Sequence, residues 1–326
     1  MHEDKPMLKL TRTTVLAVVL AIGLVALTPG GCRRRSGPRK PRVTLIMKSL
    51  ANEFFKTMED GARAHHAANP DRYELTTVGI KNEQDVAKQI ELVELKIGSS
   101  EAIVIAPADS KALVQVCKKA IDAGVVVVNI DNKLDDAVLK EQGVTIPFVG
   151  PDNRKGARMA AEYLAKKLNP GDKVAILEGI PSAFNAIQRK AGFVDAMNAA
   201  GMQIVSSQSA YWEMEKAEPI VSALITEHPD LKAVLCANDS MALGAVAALK
   251  AAGKLEDVIV VGFDANPDAA ASILAGEMTA TIAQSPYNMG RFGVVYGLAA
   301  IQGNTIPTRI DTGTTLVTAE NAADYK

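Results

Sequence analysis

Short apolar runs recur from Val43 almost to the end of the chain, and most of them finish at a polar residue followed by a helix-length segment. They include VTLIM (43–47), AIVIA (102–106), VVVVNI (125–130), KVAILEG (173–179), KAVLCAND (232–239), VIVVGFD (258–264) and TATIAQ (279–284). A run without polar alternation is a strand covered on both faces. Such strands alternating with helices build parallel sheets through right-handed crossovers. The intervening segments, such as DVAKQIELVELKIG and SMALGAVAALKAAG, are rich in Ala, Lys, Glu and Leu. Several stop at Gly98, Gly124, Gly201 or Gly253, in the manner of helix C-caps. About ten strand–helix units are more than one doubly wound sheet usually takes. The pattern therefore predicts an α/β chain of two lobes, each a doubly wound parallel sheet. The segment TIPFVGPDN, with Pro, Gly and Asn after a strand, reads as the first passage between them.

Open α/β sheets bind ligands beyond the carboxyl ends of their strands. Here those ends read Lys48, Asp131-Asn132, Asn238-Asp239, Asp264 and Gln284. Any one of them has an ordinary reading, because Asp or Asn caps the helix that follows. Asp239 and Asn153 fit that reading alone. Together the ends suit an uncharged polyol: carboxylate and amide oxygens accept from hydroxyls, while an amide NH2 or an ammonium donates. Sugar rings also stack their C–H faces on aromatics. Only 4% of residues are aromatic, and the single tryptophan, Trp212, stands at the exit of the strand MQIVSSQS. Phe54 and Phe55 open the helix after the first strand, with Asn52 as its N-cap. Helical spacing gives a core stripe of Phe54, Met58, Ala62 and His65. Phe54 is then expected to pack and Phe55 to face a ligand across from Trp212. The alternatives are two core phenylalanines and a tryptophan packed on a lobe edge.

Other function classes lose ground. A net charge of −1 and no basic recognition helix argue against nucleic acid. No GxGxxG, GxxxxGK[ST] or GxSxG follows a strand, so the chain reads as a non-enzyme without a cofactor. His65 and His66 are adjacent on a helix and face different directions, so no metal site is expected. Cys117 and Cys236 fall in apolar patterns as small buried hydrophobes. At the N-terminus, Lys9 and Arg12 precede an apolar run from Val15 to Leu27. That run is shorter than the roughly 20 residues of a membrane span. It ends in TPGGC, so residues 1–31 read as a signal segment of lipoprotein type, with Cys32 as the lipidated first mature residue and 32–41 as a tether. Secretion with cleavage nearby is the alternative.

The stretches NEFFKTMEDGA, VVNIDN, NAIQRKAGF, CANDSMALGAVAALKAAG, VVGFDANPDA, TATIAQSPYNMG and IDTGTTLVTAEN, in this order and spacing, resemble the ribose-binding-protein group of periplasmic sugar-binding proteins. The resemblance runs from about Val43 to Tyr325. It implies the type I periplasmic binding fold, two lobes joined by three crossover segments with a sugar enclosed between them. Here the lobes would be 42–150 with 285–310, and 151–284 with 311–326. It further implies ligand contacts from Asn52, Phe54, Phe55, Asp131, Trp212, Asn238, Asp264 and Gln284.

Three positions depart from the group. Lys48 stands where ribose binders have a small hydroxyl residue, and Asn132 where they have an Arg. Their ligand-contacting Arg in the third stretch aligns with Ile187, leaving Asn185 and Arg189 as replacements. Arg189 reads equally as a helix residue bonded to the lobe surface. These departures point away from ribose itself, toward another pentose, a hexose, a polyol or an inositol-like ring. An ammonium in a closing cleft needs compensation. Asp131 and Asp264, one from each lobe, are the expected partners of Lys48, and a ligand carboxylate is the rival. The implied role is a monomeric solute receptor that delivers a monosaccharide or polyol to an ABC permease. It would be exported, either periplasmic or held at the membrane by a lipid on Cys32. A sensor of the same fold, acting with a membrane kinase or chemoreceptor, is the alternative.

Overall fold

A computed structural model describes residues 39–326, so the signal segment and Cys32 lie outside the described residues. The first sheet contains β1 (Arg42–Ser49), β2 (Glu74–Ile80), β3 (Ala102–Ile105), β4 (Val126–Ile130), β5 (Phe148–Gly150) and β11 (Arg309–Asp311). All its strands are parallel, in the order β11-β5-β4-β3-β1-β2. The second contains β6 (Lys173–Glu178), β7 (Gln203–Ser209), β8 (Leu231–Cys236) and β9 (Ile259–Val261), in the order β7-β6-β8-β9. Beyond β9, single bridges Val261–Ala280 and Asp264–Ala283 attach β10 (Thr281–Ala283), which pairs antiparallel with β12 (Thr315–Val317). The helices are α1 (Glu53–Ala67), α2 (Val86–Ile97), α3 (Ala112–Asp122), α4 (Asp136–Glu141), α5 (Asn153–Ala165), α6 (Phe184–Ala199), α7 (Met214–Glu227), α8 (Asp239–Ala251), α9 (Pro267–Leu274) and α10 (Pro286–Ile301).

In the first sheet the apolar runs are continuous because strands such as β1 and β3 feed two cores. Val43, Leu45, Met47 and Val104 join one apolar cluster, while Ile46, Ile103 and Ile105 join another. This is the period-two alternation of a strand with helices on both faces. The chain leaves the first sheet after Gly150, returns between β10 and α10, and leaves again between β11 and β12, which gives the three crossings. Asp311 pairs with Gly150 at the end of the first sheet. Gly124, Gly201 and Gly253 end their helices with left-handed backbone; Gly98 ends its helix in right-handed backbone at φ −79°, which needs no glycine.

Helix α1 presents a different face than the spacing predicts. Its buried residues are Phe55, Met58, Gly61 and Ala62. Phe54 is only half-buried. The reason lies in its neighbour α10. A Cβ on Gly61 would fall 1.9 Å from the carbonyl oxygen of Tyr287, and one on Gly290 would fall 1.9 Å from that of Met58. The two backbones meet where neither helix has a side chain, and that contact fixes the rotation of α1 about its axis. Asn52 does cap the helix, accepting from the Phe54 N–H at 3.0 Å.

Candidate ligand-binding site

Residues at the carboxyl ends of strands from both sheets line one narrow cavity of about 20 Å3. The first lobe contributes Lys48 at the end of β1, Asn52, Phe54 and Phe55 at the start of α1, Glu83 after β2 and Asp131 after β4. The second contributes Asn185 and Arg189 on α6, Trp212 after β7, Asn238 after β8 and Asp264 after β9. Gln284, on the second crossing, completes the lining. Of the sequence-predicted residues only Asn132 is absent from it.

Lys48 is 2% exposed, with its Nζ 3.2 Å from Asp131 Oδ2 and 3.6 Å from Glu83 Oε2. Its Nζ also lies 5.4 Å from the centre of the Phe55 ring. Burial pulls the Lys48 pKa down, Asp131 and Glu83 push it up, and the net displacement is upward. Glu83 accepts from Asn52 Nδ2 at 3.2 Å, and burial raises its carboxyl above the usual range against the pull of Lys48. The expected pairing of Lys48 with Asp264 is therefore not what forms. Both partners belong to the ammonium's own lobe, and Asp264 faces a different cation.

That cation is Arg189. It donates from Nε to Asn153 Oδ1 at 2.8 Å, and from Nη1 to the Ala237 carbonyl at 2.8 Å and to Asp264 Oδ1 at 3.4 Å. Its guanidinium lies 3.7 Å from the centre of the Phe263 ring and 5.5 Å from that of Trp212. The two readings of Arg189 thus combine, since it lines the cavity and is tied to its lobe. Asp264 also accepts from Gln284 Nε2 at 2.6 Å. Burial pushes the Asp264 carboxyl up to about 8, with Arg189 opposing. Behind it, Asp239 accepts from Thr281 Oγ1 at 2.6 Å and from the Asn266 N–H at 2.9 Å, and burial pushes it up to about 6. Asp239 and Asn153 are not caps. Asn238 caps α8, accepting from the Met241 N–H, and Asp152 caps α5.

Phe54 and Phe55 both line the cavity, edge to face at 5.2 Å, so the expected division between them does not hold. Phe55 is the core residue, 2% exposed, and Phe54 sits at the rim. Trp212 lies flat against Gly179, where a Cβ would come within 2.1 Å of the indole. Among the described residues, the buried side-chain polar atoms without a hydrogen-bond partner are Asp131 Oδ2, Trp212 Nε1, Gln284 Oε1 and Thr312 Oγ1. All but Thr312 belong to residues of the cavity lining, and buried polar atoms are normally satisfied. Among the described residues, the left-handed non-glycine ones are Asp131 (φ 62°), Tyr211 (55°), Trp212 (72°), Asp264 (129°) and Ala265 (56°). Backbone held in such conformations concentrates at functional sites; here every instance lies on the lining or next to it.

Asn132 turns the other way. Its Nδ2 donates to the Pro107 carbonyl at 2.9 Å, and its Oδ1 accepts from Ser110 Oγ and from the Asn185 N–H, each at 3.2 Å. With φ of 62° at Asp131, the chain aims one side chain into the cavity and packs the next beneath it. Ile187, aligned with the group's Arg, is 50% exposed and absent from the lining.

The periplasmic binding protein domain family matches the chain over residues 43–305. A D-ribose/D-allose-binding protein of Pseudomonas aeruginosa is 52% identical over 292 residues, which span 89% of this chain and 92% of its own length. An ABC transporter solute-binding protein of Burkholderia multivorans, solved with an unknown ligand represented as alpha-D-erythrofuranose, is 51% identical with a TM-score of 0.83, covering 86% of this chain and 100% of its own. An ABC transporter periplasmic solute-binding protein of Actinobacillus succinogenes with bound D-allose is 33% identical with a TM-score of 0.82, covering 88% and 100%.

Proposed function

The chain belongs to the periplasmic binding protein family, and from that premise we propose that it captures a neutral monosaccharide or polyol between its lobes and delivers it to an ABC-type permease. One observation carries this reading: a cavity lined from both lobes, in which Trp212 Nε1 and Gln284 Oε1 are buried without a hydrogen-bond partner beside an Asp131 carboxylate that faces the Lys48 ammonium. One donor and one acceptor left over, with charged groups beside them among aromatic rings, match a ring that carries hydroxyls on its edge and C–H bonds on its faces. The charges favour neutrality, since Lys48 and Arg189 are already answered by Glu83, Asp131 and Asp264. The names of the relatives make D-ribose and D-allose the first candidates, and describe binding proteins of importers rather than sensors or enzymes.

Ligand bound between lobes contacts both only when they close, so it stabilises the closed form by differential affinity. The lobes, 42–150 with 285–310 and 151–284 with 311–326, then move as rigid bodies about the three crossings. The protein acts in the periplasm as a monomer. Cys32 carries the lipid that holds it at the membrane, a reading supported by the charged start, the apolar run and the small residues before Cys32. Mass spectrometry of the mature N-terminus tests the anchor: diacylated Cys32 supports it, and an unmodified end downstream of Cys32 refutes it. A thermal-shift screen of pentoses, hexoses, polyols, inositols and sugar acids, followed by small-angle scattering, tests capture. A neutral sugar should stabilise and compact the protein. Stabilisation by sugar acids alone overturns the neutral-ligand reading, and an unchanged scattering profile at saturation overturns closure.

A further inference from the structure

Helix α6 begins without a cap of its own. Ala183 occupies the N-cap position and offers no side-chain acceptor. The first N–H groups of a helix lack intrahelical partners, and they are ordinarily satisfied by a side chain just before the helix. Here the Ala186 N–H is met by Asn185 Oδ1 of the helix itself, while the first two are satisfied from the other lobe. The Phe184 N–H donates to Ser110 Oγ at 2.9 Å, and the Asn185 N–H donates to Asn132 Oδ1 at 3.2 Å. We infer that Ser110 and Asn132 form a closure latch, a helix cap supplied across the cleft that exists only when the lobes are shut. The inference rests on the capture reading above.

The latch is built before the helix reaches it. Ser110 Oγ donates to Asn132 Oδ1, and Asn132 Nδ2 is pinned to the Pro107 carbonyl. Asn129 Nδ2 holds the Asn132 carbonyl at 2.8 Å. All these acceptors are buried and lie within the first lobe, so closing orders little that is not already ordered. The captured helix carries Asn185 and Arg189, both on the cavity lining. Ser110 and Asn132 are absent from that lining, which makes them positioning residues. When the lobes part, the same N–H groups turn to water.

Because the latch does not touch the ligand, it should act on every ligand by the same factor. Asn132→Ala and Ser110→Ala, each checked for folding by its melting temperature without sugar, should bind D-ribose and D-allose about tenfold more weakly by calorimetry. The factor should be equal for the two sugars. Release should quicken while association stays near the wild-type rate, since the bonds form only after encounter. Wild-type affinity in both alanine variants, or factors that differ between the sugars, overturns the latch alone. Failure of the wild-type chain to bind any sugar overturns the capture reading as well.

Discussion

Replacing Lys48 by Met leaves Asp131 and Glu83 in place and removes the cation between them. At an effective dielectric of ~20, charges separated by 3.2 and 3.6 Å attract by about 5 kcal/mol each. Desolvation of the ammonium offsets much of that gain, and breaking a buried pair costs about 3–5 kcal/mol. The variant has an escape that caps the loss, because one carboxyl takes up a proton. For a carboxyl of ordinary pKa ~4.3, holding a proton costs about 3.7 kcal/mol at pH 7 and about 1 kcal/mol at pH 5. Glu83 is the group to do so, since burial already raises its pKa and the charge of Lys48 is the largest influence opposing the rise, ahead of the Asn52 hydrogen bond. The folded variant then keeps a proton that the unfolded chain releases above ~4.3, so stability falls as pH rises through that range. Chemical denaturation at pH 5 and pH 7 should place the variant about 1 and 3–4 kcal/mol below wild type respectively. The double variant with Glu83→Gln should recover most of the deficit at pH 7. An equal deficit at the two pH values, or wild-type stability at pH 7, would refute the reasoning.

Trp212→Ala should weaken sugar binding by about 1–3 kcal/mol, roughly tenfold to a hundredfold, and calorimetry at wild-type affinity would remove the indole from the ligand's surroundings. Gly179→Val puts side-chain atoms where the indole lies, so it should displace Trp212 and abolish binding while the fold persists; unchanged intrinsic fluorescence and affinity would count against the stacked arrangement. Burial holds Asp264 at about 8, so the folded chain keeps a proton that the unfolded chain sheds above ~3.9. That contribution is complete below the ordinary carboxyl range and is lost as pH rises toward 8. Asp264→Asn should flatten the fall in denaturation midpoint over this window, and a wild-type midpoint that climbs with pH would contradict it.

The strand ends were legible because an uninterrupted apolar run states its own length, and whatever polar residue follows it stands at the sheet's carboxyl edge. This places Lys48, Asp131, Asn238, Asp264 and Gln284 on one lining without knowledge of the lobes. Glu83 was not legible. It sits in KNEQD, where every neighbour is polar, and only the return of β2 beside β1 brings it to Lys48. Phe54 and Phe55 differ by one step of helical rotation, and the residue that fixes the rotation, Gly61, has no side chain to register in a hydrophobic pattern. Asn132 shares a strand end with Asp131, but adjacency says nothing of direction once φ is positive. That Asp264 would face Arg189 rather than Lys48 needed distances in space, which no spacing along the chain encodes.

Left-handed backbone at Asp131, Tyr211, Trp212, Asp264 and Ala265 makes the most useful part of this molecule its thermodynamic soft spot. Each such residue holds about 1–3 kcal/mol of strain that glycine would not feel. A lineage no longer fed its solute, or a laboratory library screened only for heat resistance, has its shortest route upward through exchanges such as Ala265→Gly, which relax the loop that aims Asp264. Under such drift the ability to hold a solute erodes while the sheets and helices endure, leaving descendants that melt later and carry nothing.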